Sequence, residues 1–412
     1  MEYMLEKLDH PENKLNAVHV GGTNGKGSTV AYLRSVLMEA GYEVGTFTSP
    51  YIEQFNERIS LNGKPISDNE ITHLVNVIKP LADELEETEF GPPTEFEIIT
   101  AMSIYYFAVM NPVDFSIMEV GLGGRYDSTN VIEPLVSVIT NVGLDHTQIL
   151  GSTLKQIAYE KAGIIKRNTP VFTAVKDVNA LHVLQAEATE QQAELFQINK
   201  DFFVKDIIST EHAENFTFTS GSTTMENLEI NLLGHHQTEN ASGAIATLFW
   251  LKDNRKVNLD EAIIRSGLIK AYWPGRMEIL HTEPVILIDG AHNPEGLRAL
   301  SAALDNRYLG KNIKVIFAAL KDKDLTEMFS VFNNMNVELH VTQFDFPRAA
   351  SAEELKAMSG NHVIKAHVEW RALIKEQINS MQSNEVLVIT GSLYFISLVR
   401  PFLLKKLKND II

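Results

Sequence analysis

The sequence predicts an α/β protein of two sheet-centred domains, and three observations carry that expectation. Short apolar strands alternate with longer amphipathic helical stretches, a patch of brief alternating runs interrupts the rhythm in the middle, and a Trp-Pro-Gly break restarts it. The chain has 412 residues, 44% hydrophobic and 22% charged, enough to bury more than one typical core.

Taken in order, residues 16–22 (NAVHVGG) read as a strand, 26–41 (KGSTVAYLRSVLMEAG) as a helix and 42–49 (YEVGTFTS) as a second strand, which makes a βαβ unit. Helical patterns over 68–87 and 96–110 then alternate with strands over 113–121 and 134–143, as in a parallel sheet covered by helices. Between about residues 201 and 234 the runs NFTFTS and LEINLLG, set among Gly, Ser and Thr, suggest a small antiparallel insert, and helical sequence resumes at His236. After Trp273-Pro274-Gly275 a new series begins, with strands at PVILID, KVIFAAL, VELHV and VLVIT and a helix from Pro294. The expected domains are therefore 1–274 and 275–412. The last helix, LYFISLVRPFLLKKL, is amphipathic and suited to covering the second sheet.

Composition excludes several classes of function. Lys and Arg number 36 against 53 Asp and Glu, a formal charge of −17, so neither nucleic acid nor an anionic membrane is expected as partner, and an anionic ligand needs a local positive site. The absence of cysteine removes disulfides, thiolate metal sites and cysteine nucleophiles. The charged start (MEYMLEKLDHPENK) and the lack of a spanning-length apolar stretch fit a cytoplasmic protein without a membrane segment.

The strongest chemical signal is G22-T-N-G-K-G-S28, between a strand and a helix. Backbone N–H groups from Thr23, Asn24, Gly25 and Gly27, with the helix N-terminus behind them, suit an anion; Lys26 adds a charge and Ser28 or Thr29 a hydroxyl near a magnesium ion. Gly27 stands between Lys26 and Ser28, a departure from the strict P-loop pattern. Glu119 closes an apolar strand before the glycines of GLGG, where it is either a metal ligand or a strand-end carboxylate facing solvent. His146 follows a strand and could be a metal ligand, a general base or a structural residue. Lys161, late in a helix, reads by itself as a solvated cation or dipole partner. In the second half, Asn240 lies in a helix-opening HHQTEN, Arg276 follows the Trp-Pro-Gly break, and Asp289, His292 and Asn293 sit at a strand-to-helix turn, where Asn293 before Pro294 also suits an N-cap.

In order, HVGGTNGKGST, TSPYIEQFNERI, EVGLGGRYDSTN, NVGLDHTQILG with EKAGIIK, HHQTENA, WPGRME, DGAHNP, LKDKD, FPRA and TGSLYF closely resemble the folylpolyglutamate synthase family of the Mur ligase superfamily, over nearly the whole chain. The resemblance implies a P-loop-type ATP-binding domain with a smaller, Rossmann-like glutamate-ligase domain after it, and a magnesium-dependent, ATP-driven ligation of L-glutamate to a folate, by a monomer. Position by position, it implies that Lys26 and Ser28 meet the ATP phosphates, and that Ser49, Glu119 and His146 hold magnesium, two ions in all. It further implies that Lys161 is N-carboxylated, that Asn240, Arg276 and Asp289 contact the nucleotide, and that His292 lies at the domain cleft as a catalytic group beside Lys26 and Lys161. Thr94, Phe96 and Asp127 match the pterin pocket of members with dihydrofolate synthase activity, so dihydropteroate is an alternative or additional acceptor; Tyr126 and Ser128 beside Asp127 depart from the usual Leu and Ala. Outside the ligases, a regulatory P-loop ATPase is the competing expectation.

Overall fold

The computed structural model describes residues 1–360 and 364–409. Its chain divides into two compact units: one of residues 1–208, 215–231 and 236–272, the other of 209–214, 232–235 and 273–412.

The first unit is built on an eight-stranded sheet in the order Lys64–Pro65, Ile59–Leu61, Val44–Phe47, Phe115–Glu119, Ala17–Gly21, Val136–Ile139, Val171–Thr173, Leu195–Gln197. The first two pairings are antiparallel and the rest parallel. Ala17–Gly21 is the central strand and all five residues are buried, as a strand covered on both faces requires. The register sets Val20 beside Glu119 and Gly21 beside Ile139. The Gly-rich loop, Glu119 and the Thr140–Gly143 segment therefore leave the sheet at one carboxyl edge, where open α/β sheets present ligand sites.

The helix Lys26–Glu39 follows the loop, and helices Asp68–Glu86 and Glu95–Tyr105 start at the capping boxes of Ser67 and Thr94. The helical pattern expected over 96–110 widens after Tyr105, where the Asn111 N–H reaches back five residues to the Tyr106 carbonyl at 2.8 Å. The antiparallel insert is present as three strands in the order Thr223–Ile230, Glu214–Ser220, Phe202–Ser209.

The second unit has a six-stranded sheet ordered Glu278–Thr282, Val285–Ile288, Glu385–Thr390, Asn312–Phe317, Val337–Thr342, Lys365–His367. Only the first pair is antiparallel. The strand Glu278–Thr282 was not expected: it follows a break that reads as loop and pairs only at the sheet edge. The helix Leu393–Asn409 buries Phe395, Ile396, Val399 and Leu403 against Ile286, Ile288, Leu387 and Ile389, which matches its amphipathic pattern. At the C-terminal end of the helix Pro294–Arg307, the Arg307 guanidinium donates to the carbonyls of Thr210 (2.8 Å) and Ala213 (3.3 Å) and to Glu214 Oε1 (2.8 Å), with both charged side chains buried. This pair holds the insert's turn in the second unit. Among the described residues, no helix is long and apolar enough to cross a membrane.

Candidate active site

The Gly-rich loop is shaped by the strand beside it. Asn141 Oδ1 accepts the N–H groups of Thr23 (3.1 Å) and Asn24 (2.7 Å), the Thr140 hydroxyl donates to the Asn24 carbonyl (2.6 Å), and Thr23 Oγ1 exchanges hydrogen bonds with Gly143. Thr140 and Asn141 were missed by the sequence reasoning; their only signal is their place just past the end of a strand beside the loop's own. Gly25 caps the helix at φ +84°, a left-handed conformation that disfavours a side chain, and a Cβ there would lie 2.3 Å from Asn240 Oδ1. Gly25 and Asn240, 215 positions apart in sequence, thus lie against each other. Lys26 opens the helix with Nζ 3.1 Å and 3.2 Å from the carbonyls of Gly22 and Thr23. Behind it, Ser28 and Thr29 are each 1% exposed, and neither hydroxyl oxygen has a hydrogen-bond partner. Buried hydroxyls without partners are costly unless a ligand supplies one.

Glu119, buried at its strand end, accepts the Ser49 N–H on Oε2 at 3.3 Å, which brings two of the three expected magnesium ligands together. His146 is exposed with left-handed backbone (φ +50°), and its N–H bonds the Asp145 carboxylate at 2.8 Å. Lys161 is 3% exposed in the helix Leu154–Ala162, so it is not the solvated cation that its position alone suggests. Among the described residues no three His, Asp or Glu side chains form a metal-holding group. The Glu119 carboxylate and the buried Ser28 and Thr29 hydroxyls nevertheless offer oxygen, the donor type that a hard cation such as magnesium takes.

Beside this edge lies the loop 121–129. Gly121 lies against the Phe96 ring, which a Cβ would approach to 2.4 Å, and Phe96 packs in turn on Phe47 with ring centroids 5.7 Å apart. Asp127 faces inward: Oδ1 takes the Thr129 N–H (3.0 Å) and hydroxyl (2.5 Å), and Oδ2 takes the Leu122 N–H (2.8 Å). Burial pushes its pKa up while these bonds pull it down, and burial prevails. Thr94 is the N-cap of the helix Glu95–Tyr105, accepting the Glu97 N–H at 3.2 Å.

Three of the expected residues belong to the second unit. Asp289 ends its strand with Oδ2 on the Met277 N–H (2.9 Å) and Oδ1 on the Ala291 N–H (2.8 Å), tying the segment after Trp-Pro-Gly to the strand end. The Arg276 guanidinium packs beside Gly290, where a Cβ would come within 2.5 Å of Nη1. His292 Nδ1 lies 2.8 Å from the Gly290 carbonyl, which assigns the proton to Nδ1. Asn293 caps the following helix by accepting the Gly296 N–H at 2.8 Å, as its position before Pro294 led us to expect.

A Gly-rich anion loop at the edge of a parallel sheet, followed by a second α/β unit with its own polar turn, defines a ligase of the Mur type. Residues 20–248 match the Mur ligase middle domain and residues 275–393 the Mur ligase glutamate ligase domain; the chain belongs to this family. Within it, the chain falls in the folylpolyglutamate synthase branch. It is 48% identical to the dihydrofolate synthase/folylpolyglutamate synthase of Bacillus subtilis (97% of this chain, 93% of the relative). It is 36% identical to the folylpolyglutamate synthase of Lacticaseibacillus casei, with the same coverage. Among solved structures, Mycobacterium tuberculosis folylpolyglutamate synthase complexed with ADP and AMPPCP superposes with a TM-score of 0.90 at 28% identity, covering 98% of this chain and 94% of that one. A complex of such a synthase with AMPPCP and folate gives 0.85 at 34% identity, covering 97% and 93%.

Proposed function

We propose that this chain joins L-glutamate to the γ-carboxylate of tetrahydrofolate or its polyglutamates, consuming ATP and releasing ADP and phosphate. The observation that carries this is the loop from Gly25 to Thr29: a left-handed glycine, a lysine and two buried, partnerless hydroxyls at the carboxyl end of the central strand. A carboxylate resists amine attack because its leaving group would be oxide. Transfer of the γ-phosphoryl group breaks the bond to ADP and forms an acyl phosphate, whose carbonyl the glutamate amine attacks, expelling phosphate and losing a proton. No covalent bond to the enzyme is needed.

The chain's own part is to bind, orient and exclude water. The helix N-terminus and Lys26 stabilise phosphate charge, with Thr23, Asn24, Gly25, Gly27 and Asn240 shaping the nucleotide site. Magnesium, taken as two ions, would be held by Ser49, Glu119 and His146 with the Ser28 and Thr29 hydroxyls nearby, and when bound it neutralises phosphoryl charge. Lys161 is assigned an N-carboxylated side chain, supported by its burial in the helix Leu154–Ala162. The same proposal divides the chain into an ATP-binding domain, 1–274, and a glutamate-ligase domain, 275–412, in which Arg276 and Asp289 serve the nucleotide and His292 the reaction. Phe96 and Asp127, with Thr94, frame the pteridine. The enzyme is taken to work as a monomer in the cytoplasm, with no nucleic-acid or membrane partner.

Dihydropteroate is a second acceptor to consider, because the Bacillus subtilis relative carries both activities in its name. Coupled ADP release with product mass, using purified protein, ATP, magnesium and L-glutamate, decides between them. Product from tetrahydrofolate alone means a polyglutamate synthase, and product from both pteridines a bifunctional enzyme. ADP release without any glutamate adduct would overturn the ligase and favour a P-loop ATPase.

A further inference from the structure

A buried side-chain relay runs from the central strand to the pteridine loop. His19, in the strand Ala17–Gly21, and Thr129, at the far end of the loop, are both fully buried and lie 110 positions apart. His19 Nε2 is 2.8 Å from Thr129 Oγ1, and Thr129 Oγ1 is 2.5 Å from Asp127 Oδ1. Directions follow from proton counting. An ionised carboxylate only accepts, so the single Thr129 hydroxyl proton goes to Asp127, and His19 must donate to Thr129 from Nε2–H. His19 Nδ1 then carries no proton, which agrees with its having no partner in the core, since an unsatisfied N–H would cost more than a lone pair. Burial, reinforced by the charge of Lys166, pushes the His19 pKa to about 3, so the ring is neutral at physiological pH as the relay needs.

The loop end of the relay is held from both sides: the Asp127 carboxylate receives the Thr129 hydroxyl together with the N–H groups of Thr129 and Leu122. It therefore draws both ends of the loop together, while Gly121 lies on the face of Phe96. We propose that His19 and Thr129 are positioning residues for substrate recognition: through Asp127 they fix where the loop 121–129 stands against Phe96, and so set the affinity for the pteridine without touching it. This rests on the ligase function above, in which Phe96 and Asp127 frame that ring.

The test is a KM split in the full-length enzyme. Thr129→Val keeps the side-chain shape and removes the hydroxyl; the KM for the pteridine substrate rises about tenfold or more while the KM for ATP stays within about twofold, and Thr129→Ser, which restores the hydroxyl, returns the pteridine KM near to wild type. His19→Gln, which keeps a donor near the Nε2 position, provides a milder disturbance if Thr129→Val does not fold, and it shifts the same KM in the same direction. A Thr129→Val or His19→Gln enzyme in which both KM values rise together, or neither does, overturns the relay, as does a Thr129→Ser enzyme as impaired as Thr129→Val. Wild-type protein that turns over neither pteridine overturns the ligase function itself, before any variant is compared.

Discussion

Replacing Gly25 by alanine probes the nucleotide loop at its tightest point. The residue has φ +84°, and holding an L side chain in the left-handed region costs about 1–2 kcal/mol. The new methyl would also stand 2.3 Å from Asn240 Oδ1, so Asn240 must swing away and give up its 3.1 Å hydrogen bond to Gln237, a further loss of about 0.5–1.5 kcal/mol. Together the loop's working conformation loses about 1.5–3.5 kcal/mol, which converts to an ATP KM about ten- to three-hundredfold higher. Equilibrium binding of a fluorescent ATP analogue and ADP release measure it independently. Gly25→Ala combined with Asn240→Ala separates the two causes. Removing the obstructing side chain makes the double variant less impaired than the sum of the singles, whereas the backbone part persists. An ATP affinity within about threefold of wild type in Gly25→Ala, or strict additivity in the double variant, refutes the reasoning.

Other outcomes follow from the same geometry. Arg307→Met leaves the Glu214 carboxylate buried with only the Gly234 N–H and Ser209 hydroxyl as donors, so the second unit loses about 3–5 kcal/mol; calorimetry shows a lower-melting transition, and an unshifted one contradicts it. Because the folded pKa of His19 is depressed to about 3, the unfolded chain takes up a proton below its ordinary value of about 6.5 that the folded chain does not. Stability therefore falls as pH drops from 6.5 towards 3, by up to about 1.4 kcal/mol per unit, and melting profiles of His19→Gln are flatter in that window. Glu119→Gln removes the buried carboxylate from the sheet edge and raises the magnesium concentration needed for half-maximal ADP release about tenfold or more; an unchanged magnesium titration excludes it as a ligand.

The parts of the site readable in the sequence are those whose chemistry is local. Lys26, Ser28 and Thr29 are contiguous, and a glycine-rich turn between an apolar strand and a helix can be seen in a dozen residues. Asn293 before Pro294 likewise announces a cap, which is present. The strand Glu278–Thr282 escaped notice because a short, partly exposed edge strand carries little apolar alternation. Asp127 illustrates a different kind of gap: its resemblance to a pocket residue draws notice to its loop, but that its carboxylate is held by the loop's own donors is a matter of geometry.

The sequence by itself determined the α/β class, the phosphate-type loop, the insert and the family, because period, turn chemistry and motif spacing are properties of neighbouring residues. The tertiary structure decided which distant residues complete those motifs. Asn141 reaches the loop across 117 positions, Asn240 stands against Gly25, His19 reaches Thr129, and Arg307 finds Glu214 across 93. Those pairings depend on strand order, register and helix placement, which bring remote segments together within each unit, and hydrogen bonds a few ångströms long form only after that order is set.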